Sequence, residues 1–397
     1  MRFSGAYNAR MTQPLALYVH FPWCVRKCPY CDFNSHTAPA ELPENTYIDS
    51  LLADLGGDLD LVEGRTVASV FFGGGTPSLF SAASIGRLLD GVRGALPFAP
   101  DAEITLEANP GTIERGRFEA YAEAGVNRVS IGAQSFSASQ LKTLGRIHSP
   151  GEIEAAVADL RLAGLSNFNL DLMYGLPGQS VDESLADLET AIALEPSHLS
   201  HYQLTLEPGT AFFHRPPELP DDDITLEMQL GCQAMLDAAG FLQYEVSAYA
   251  KPGRRCRHNM AYWTFADYLG IGAGAHGKIT TPGGVLRTEK PRMPRDYTAR
   301  VTAGHASIRR LVDPAELPFE FALNAFRLIE GSTIDAFESA TGLSAEILRP
   351  TLESLAARGL IDQSTDRLKT TALGLRFLND VQAAFLPAAT QGQAGST

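Results

Sequence analysis

The chain has 397 residues, 45% hydrophobic and 20% charged, and its 32 basic against 46 acidic residues give a formal net charge of −14. That length and composition suit a soluble globular protein of two or three domains with a sizeable core. The acidic balance argues against nucleic acid as a partner, because such binding is dominated by basic contacts.

Five cysteines, three of them within eight residues, do not make a disulfide framework. Residues 1–14 carry neither a periodic pattern nor an apolar signal core, so a disordered N-terminus is expected, with Met11 as an alternative start. Residues 387–397 read as a disordered tail. No run of about 18 apolar residues occurs, which points to a cytoplasmic protein without a transmembrane segment, leaving open only transient contact with a membrane surface.

From residue 15 to 215 one pattern recurs: a short apolar run rich in β-branched and aromatic residues, a Gly/Pro/Asn break, then an amphipathic stretch. The runs are 16–21, 67–72, 103–107, 128–131, 168–173 and 199–206. Between them Ile48, Leu51, Leu52, Leu55 and Leu59, and later Val181, Leu185, Leu188 and Ile192, recur at helical spacing. The pattern implies an α/β fold with a parallel sheet. Six units make an open, partial (β/α)6 barrel, whose chemistry belongs at the carboxyl ends of its strands.

The pattern breaks at Pro216, Pro217 and Pro220, followed by Asp221, Asp222 and Asp223 and a helix near 224–239. Residues 216–315 read as a linking region that carries a further motif. Residues 316–386 are mainly helical, and a helix at 344–358, a short strand at 360–361 and a helix at 371–384 resemble a small winged-helix module. Five basic and five acidic residues between Gly342 and Asp380 favour packing or docking over DNA binding.

Cys24, Cys28 and Cys31 have CxxxCxxC spacing directly after the first strand. A loop this short lets three thiolates converge on three irons of one cubane and leaves the fourth iron open. An open iron suits S-adenosylmethionine (SAM), whose amino and carboxylate groups chelate there. The competing occupant is a structural zinc ion, which wants four ligands, with His20 or His36 as the fourth. Gly73-Gly74-Gly75-Thr76-Pro77 ends strand two in a turn whose backbone N–H groups are free to face a ligand. Glu107, Gln134, Arg146 and Asp171 add polar groups at the strands or their exits.

Tyr18, CxxxCxxC, GGGTP, Glu107-Ala108-Asn109-Pro110, Gly132-Ala133-Gln134-Ser135-Phe136 and Asp171-Leu172-Met173-Tyr174-Gly175-Leu176-Pro177 stand in the order found in one family. From about residue 15 to 385 the chain resembles the radical SAM family of oxygen-independent coproporphyrinogen III dehydrogenases and their HemW relatives. The resemblance implies a [4Fe-4S] cluster and SAM as cofactors, with Tyr18, Gly74, Gly75, Thr76, Glu107, Gln134, Arg146 and Asp171 as SAM contacts and Thr205 a further candidate. It implies that Glu107 touches the amino group or ribose, Arg146 the carboxylate and Asp171 the ribose hydroxyls. A one-electron donor such as a flavodoxin or ferredoxin is implied as a partner.

Two departures separate the branches. The dehydrogenases carry a fourth cysteine two residues after the third, where this chain has Phe33, and an N-terminal extension, where this chain has 23 residues before Cys24. Both point to the HemW branch, which resembles haem chaperones that deliver haem to haemoproteins such as respiratory cytochromes. Cys256-Arg257-His258-Asn259-Met260-Ala261-Tyr262-Trp263 contains HNxxYW, the motif that branch uses for haem. His258 is the expected iron ligand, with Asn259, Tyr262 and Trp263 around the macrocycle, and Cys256 is a rival ligand. Reductive cleavage of SAM is implied, and coproporphyrinogen oxidation is the alternative activity. Cys232 is expected in the core, His198 and His201 on opposite faces of a strand, and the glycine run 270–277 close to the barrel mouth rather than on a dinucleotide.

Overall fold

The six apolar runs fold as parallel strands in a computed structural model, which describes residues 14–62, 64–112, 117–304, 306–362 and 367–387. Met11 and most of both expected disordered ends lie outside the described residues. The strands are β1 (Leu15–Phe21), β2 (Val67–Gly74), β3 (Phe98–Ala108), β4 (Arg128–Gln134), β5 (Phe168–Tyr174) and β6 (His198–Gln203), paired in that order. Helices α1 (Glu44–Asp58), α2 (Ala82–Ala95), α3 (Arg117–Glu123), α4 (Pro150–Leu162), α5 (Val181–Ala193) and α6 (Asp222–Ala238) follow them in turn.

Alternation of side chains decides what each face of the sheet meets. Leu17, Val19, Phe21, Val70, Phe72, Ile104, Leu106, Val129, Ile131, Leu170, Leu172 and Leu199 form one buried cluster with Ile48, Leu51, Leu88, Val92, Ile153, Val157 and Leu188 of the helices. The intervening residues, among them Tyr18, Ser69, Glu103, Arg128, Asn169, Asp171 and His198, face the lumen. Local signals start the helices where they are needed. Ser149 with Glu152 and Ser180 with Glu183 form capping boxes, and Asp221 caps α6 through the Ile224 N–H, each cap worth about 1 kcal/mol.

The sheet does not end with the barrel. Residues 216–315 add β7 (Leu242–Glu245) and β8 (Ala248–Ala250), antiparallel beyond β6, and α7 (Arg257–Trp263). Then β9 (Tyr268–Ile271) pairs parallel to β1, and β10 (His276–Thr281), β11 (Gly284–Glu289) and β12 (Ile308–Leu311) continue antiparallel. The described residues therefore form a twelve-stranded sheet in the order β12-β11-β10-β9-β1-β2-β3-β4-β5-β6-β8-β7, so the segment read as a linker supplies half of its strands. The glycine run 270–277 spans the end of β9, a turn and the start of β10; Gly272 N–H donates to Asp54 and Ala273 O accepts from Asn34 of the cysteine loop.

The C-terminal region has its own core of Phe321, Phe326, Phe337, Leu355, Val381 and Phe385. The expected first helix begins as a 3-10 turn at Ala345–Leu348 and continues as Arg349–Ala357, Ile361 bridges to Thr370, and the last helix divides into Ala372–Arg376 and Leu378–Ala383 at Phe377. Residues 363–366 lie outside the described residues.

One buried ion cluster ties the added strands to α1. Lys290, just after β11, donates to Asp54, to Asp58 at 2.7 Å and to Ser307, and all three charged side chains are 1% exposed or less. Tyr297 Oη donates to Asp54 at 2.9 Å. Removing Lys290 leaves buried Asp54 without a cation and Asp58 with only the partly exposed Arg309 at 3.0 Å, which costs more than losing a surface pair. Lys290→Ala is expected to destabilise the fold by about 3–5 kcal/mol in urea unfolding, and a loss below about 1 kcal/mol would mean that solvent reaches the cluster.

Candidate functional site

The carboxyl ends of β1 to β6 enclose a cavity of about 410 Å³ lined by Cys24, Cys28, Cys31, Gly74, Gly75, Thr76, Glu107, Gln134, Arg146, Asp171 and Thr205. Eleven residues chosen from the sequence thus meet at one place. Tyr30, Ser130 and Tyr202 also line it, and sequence reasoning missed them. The period-2 alternation, which sets Ser130 and Tyr202 on the lumen side of β4 and β6, was the available signal.

Each wall has a local cause. Cys24 ends a two-residue strand paired with His36–Thr37, and Thr76 Oγ1 donates to its sulfur at 3.5 Å. Gly74 has φ of +112°, and a Cβ on Gly75 would stand 2.5 Å from Trp23 O, so neither position accepts a side chain. Gln134 closes β4 with φ of +68°, a costly conformation for a non-glycine residue, and its Oε1 accepts from Tyr202 Oη at 2.6 Å. The turn aims the Gln134 side chain across the cavity instead of along the sheet.

Electrostatics divides the cavity in two. On the cysteine side Arg146 donates to Cys28 Sγ at 3.7 Å and to Gly132 O at 2.7 Å, and its buried Nε has no partner. This fixed guanidinium leaves one N–H for an anionic ligand group. Across from it, burial and then the nearby Asp171 push the Glu107 carboxyl up to about 8, while the Gly74 N–H that it accepts at 3.1 Å works the other way. Burial also raises Asp171, against donation from Asn169 and Ser130. Two buried carboxyls call for a positively charged or hydroxyl-bearing ligand. The residues thus fit a group bound through thiolates and a ligand carrying a carboxylate, a cation and hydroxyls.

Five residues expected at a site do not line this cavity. Tyr18 is below the cavity floor: its ring stacks on Phe71, and its hydroxyl donates at 3.0 Å to His20 Nδ1, whose Nε2 donates to Asn34 O at 2.8 Å. Burial lowers His20 to about 4, so the imidazole is neutral, and with both nitrogens used it is no fourth zinc ligand. His36 does not line the cavity either.

His258, Asn259, Tyr262 and Trp263 lie on α7, which closes the opposite end of the barrel. His258 is 1% exposed, its Nδ1 meets Ser69 Oγ at 3.1 Å and its Nε2 meets Tyr262 Oη at 2.9 Å. Ser69 precedes Gly74 by five strand positions, about 16 Å. Glu103 accepts from the N–H groups of Arg257 and His258 and from the Cys256 thiol, capping α7. Burial first of all pushes that thiol up to about 12. Trp263 carries the Arg327 guanidinium over its ring at 4.4 Å. The outer side of α7, at Met260, Ala261 and Thr264, borders a cleft of about 610 Å³ completed by Leu15, Ala68 and Ala336.

The blander expectations are met. Cys232 is buried on α6 beside Ser184, and His198 and His201 face opposite sides of β6, the latter stacked on Tyr174.

Comparison with known proteins narrows the reading. The Radical SAM superfamily model matches residues 18–191, and the HemN C-terminal domain model matches 312–377. The chain is 52% identical over 374 residues to the "Heme chaperone HemW" of Escherichia coli, covering 94% of this chain and 98% of that protein. It belongs to the HemW family of radical SAM proteins. The Haemophilus influenzae HemW is 47% identical, over 94% of this chain and 98% of the relative. In fold this HemW-family chain is similar to the solved coproporphyrinogen III oxidase (HemN) of Escherichia coli, with a TM-score of 0.81 over 98% of this chain and 93% of that one, at 24% identity. Membership implies an iron–sulfur cluster and SAM. Among the described residues no helix is long and apolar enough to cross a membrane.

The raised Glu107 carboxyl has a measurable consequence. A folded-state value near 8 against about 4.5 unfolded means that its contribution to stability is present below pH 4.5 and is lost as the pH rises towards 8. In protein without cofactors, urea-unfolding free energy is expected to fall across this window by up to about 1.4 kcal/mol per pH unit from this group. Glu107→Gln should flatten the profile, leaving the slope due to Asp171; an unchanged slope would show that Glu107 is ionised throughout.

Proposed function

We propose that the chain is a cytoplasmic haem chaperone that holds a [4Fe-4S] cluster on Cys24, Cys28 and Cys31 and SAM beside it, and passes haem to haem-accepting proteins. The observation that carries the reading is the convergence of three thiols, the Gly74-Gly75-Thr76 turn, Glu107, Arg146 and Asp171 on one cavity, in a chain that aligns with curated haem chaperones over 94% of its length. When bound, the cluster supplies the electron for reductive cleavage of SAM, received from a one-electron donor such as a flavodoxin or ferredoxin.

The chain's own residues do the rest. The partnerless Nε of Arg146 meets the methionyl carboxylate. Glu107 receives the ammonium group or the ribose, and deprotonates on accepting a cation because its carboxyl lies near 8. Asp171 receives the ribose hydroxyls, and Gln134 and Thr205 complete the wall. Phe33, 59% exposed, stands at the mouth where the dehydrogenases have a cysteine. The likeness to the oxidase is one of fold and does not carry its reaction.

Haem is assigned to α7. Because both nitrogens of His258 are engaged inside the barrel, ligation by this residue requires α7 to release Ser69 or Tyr262. The cleft against Met260 gives the macrocycle an apolar face to rest on before that release. Cys256, protonated and hydrogen-bonded to Glu103, is the weaker ligand.

Anaerobically purified protein is expected to contain about four irons and four sulfides per chain. Alanine at Cys24, Cys28 or Cys31 should abolish both, whereas stoichiometric zinc without sulfide would remove the cluster reading. In haem titrations His258→Ala should lose or shift the absorption bands with cluster content intact, while Cys256→Ser should leave them unchanged. The cluster-replete protein with SAM and a one-electron donor should not convert coproporphyrinogen III, and sustained turnover would restore the dehydrogenase reading.

A further inference from the structure

Inside the barrel, between the SAM cavity and α7, runs a line of side chains that none of the assignments above uses. Tyr244 Oη lies 2.8 Å from His198 Nε2, His198 Nδ1 lies 2.6 Å from Asn169 Oδ1, and Asn169 Nδ2 lies 2.8 Å from Asp171 Oδ1. Tyr244, His198 and Asn169 are 1%, 1% and 2% exposed. Asn169 Nδ2 also meets Ser130 Oγ at 2.7 Å, Ser130 Oγ donates to Asp171 Oδ2 at 3.2 Å, and Ser200 Oγ donates to Asn169 Oδ1 at 3.2 Å.

These contacts admit one proton arrangement. Two neighbours of Asn169 Nδ2 are oxygen acceptors, one of them a carboxylate, so that atom is the amide nitrogen and Oδ1 the acceptor. His198 Nδ1 must then carry the hydrogen. Burial, and next the Arg128 guanidinium, lower His198 well below its usual range, so Nε2 carries none and accepts from Tyr244. Every donor points the same way, from Tyr244 to the Asp171 carboxylate, which lines the SAM cavity.

We propose that Tyr244, His198 and Asn169 form a positioning relay that fixes the Asp171 carboxylate as an oriented acceptor for the ribose hydroxyls of SAM. The proposal rests on the reading of Asp171 as the ribose contact. Asp171 meets the ligand, and the other three act through it. A freely rotating carboxylate would accept from water as readily as from a ribose. With Oδ1 held by Asn169, the remaining lone pairs face the cavity, which is the preorganisation that hydroxyl selectivity requires. The far end of the relay is anchored by the C-terminal region, since Ile329 N–H donates to Tyr244 O at 3.1 Å and Arg255, over the Tyr244 ring at 5.6 Å, pairs with Glu330 of that region at 2.6 Å.

The test compares equilibrium binding of SAM and of its 2′-deoxy analogue to cluster-loaded protein under anaerobic conditions, with iron and sulfide measured for every variant. The parent should prefer SAM by roughly tenfold to a hundredfold, the range for a hydrogen bond to a charged acceptor. Asn169→Leu and His198→Leu should compress the preference to roughly threefold or less, chiefly by weakening SAM. His198→Gln should keep most of it, because its amide can still donate to Asn169 and accept from Tyr244. Tyr244→Phe should lower it at least roughly threefold, by freeing the other imidazole tautomer. Asp171→Asn is the control: if the preference survives this change, the ribose assignment itself fails. If Asp171→Asn abolishes the preference while the leucine variants retain it, or weaken both ligands equally, the relay is overturned. Should a leucine variant lose its cluster, Tyr244→Phe decides, and an unchanged preference there counts against the relay.

Discussion

The constraint on which the molecule depends is that its barrel has a polar lumen. Six parallel strands give their apolar faces to the helices and turn Ser69, Glu103, Arg128, Ser130, Asn169, Asp171 and His198 towards one another. Groups of this kind cannot be left unpaired away from water without a penalty of a few kcal/mol each, so the lumen must be filled by matched partners. At one end α7 supplies them, with its N-terminus on Glu103 and His258 on Ser69. At the other end the matching is incomplete, and Glu107, Asp171 and the Arg146 Nε are left facing a cavity. Polar groups left facing a cavity are what make a binding site out of a core.

The same constraint links the two ends. Glu103 and Glu107 lie on one face of β3, four positions apart, one capping α7 and the other on the cavity wall. Asn169 and Asp171 share a face of β5, two positions apart and joined by a hydrogen bond. Packing that buries His258 inside the barrel also explains why the HNxxYW motif has a structural duty whatever else it binds.

The sheet beyond the barrel has a different physical basis. Strands β9 to β12 extend β1; buried charge holds them to α1 through Lys290 between Asp54 and Asp58, and to the segment before β2 through Asp267, which takes both Arg65 and Lys278. This arrangement presses β9 and its following turn against Asn34, so the cysteine loop is braced from outside the barrel by strands more than 230 residues away.

The sequence by itself determined the strand–helix alternation, the helix starts and the cysteine loop, because these rest on short-range rules. Alternation sets a strand's faces, Ser-x-x-Glu closes a helix start on its own backbone, and CxxxCxxC brings three thiols together within eight residues. It also named eleven of the cavity's residues, since the carboxyl ends of parallel strands are bound to converge. Only the tertiary structure decided where Tyr18 and His258 point, that residues 216–315 complete the sheet, and that Asp54 pairs with Lys290. Each of those depends on which groups compete for one buried partner across the fold. Tyr18 turned to His20, and His258 to Ser69 and Tyr262, because in a closed lumen an imidazole or phenol takes the nearest satisfying partner, and no spacing along the chain records which one that is.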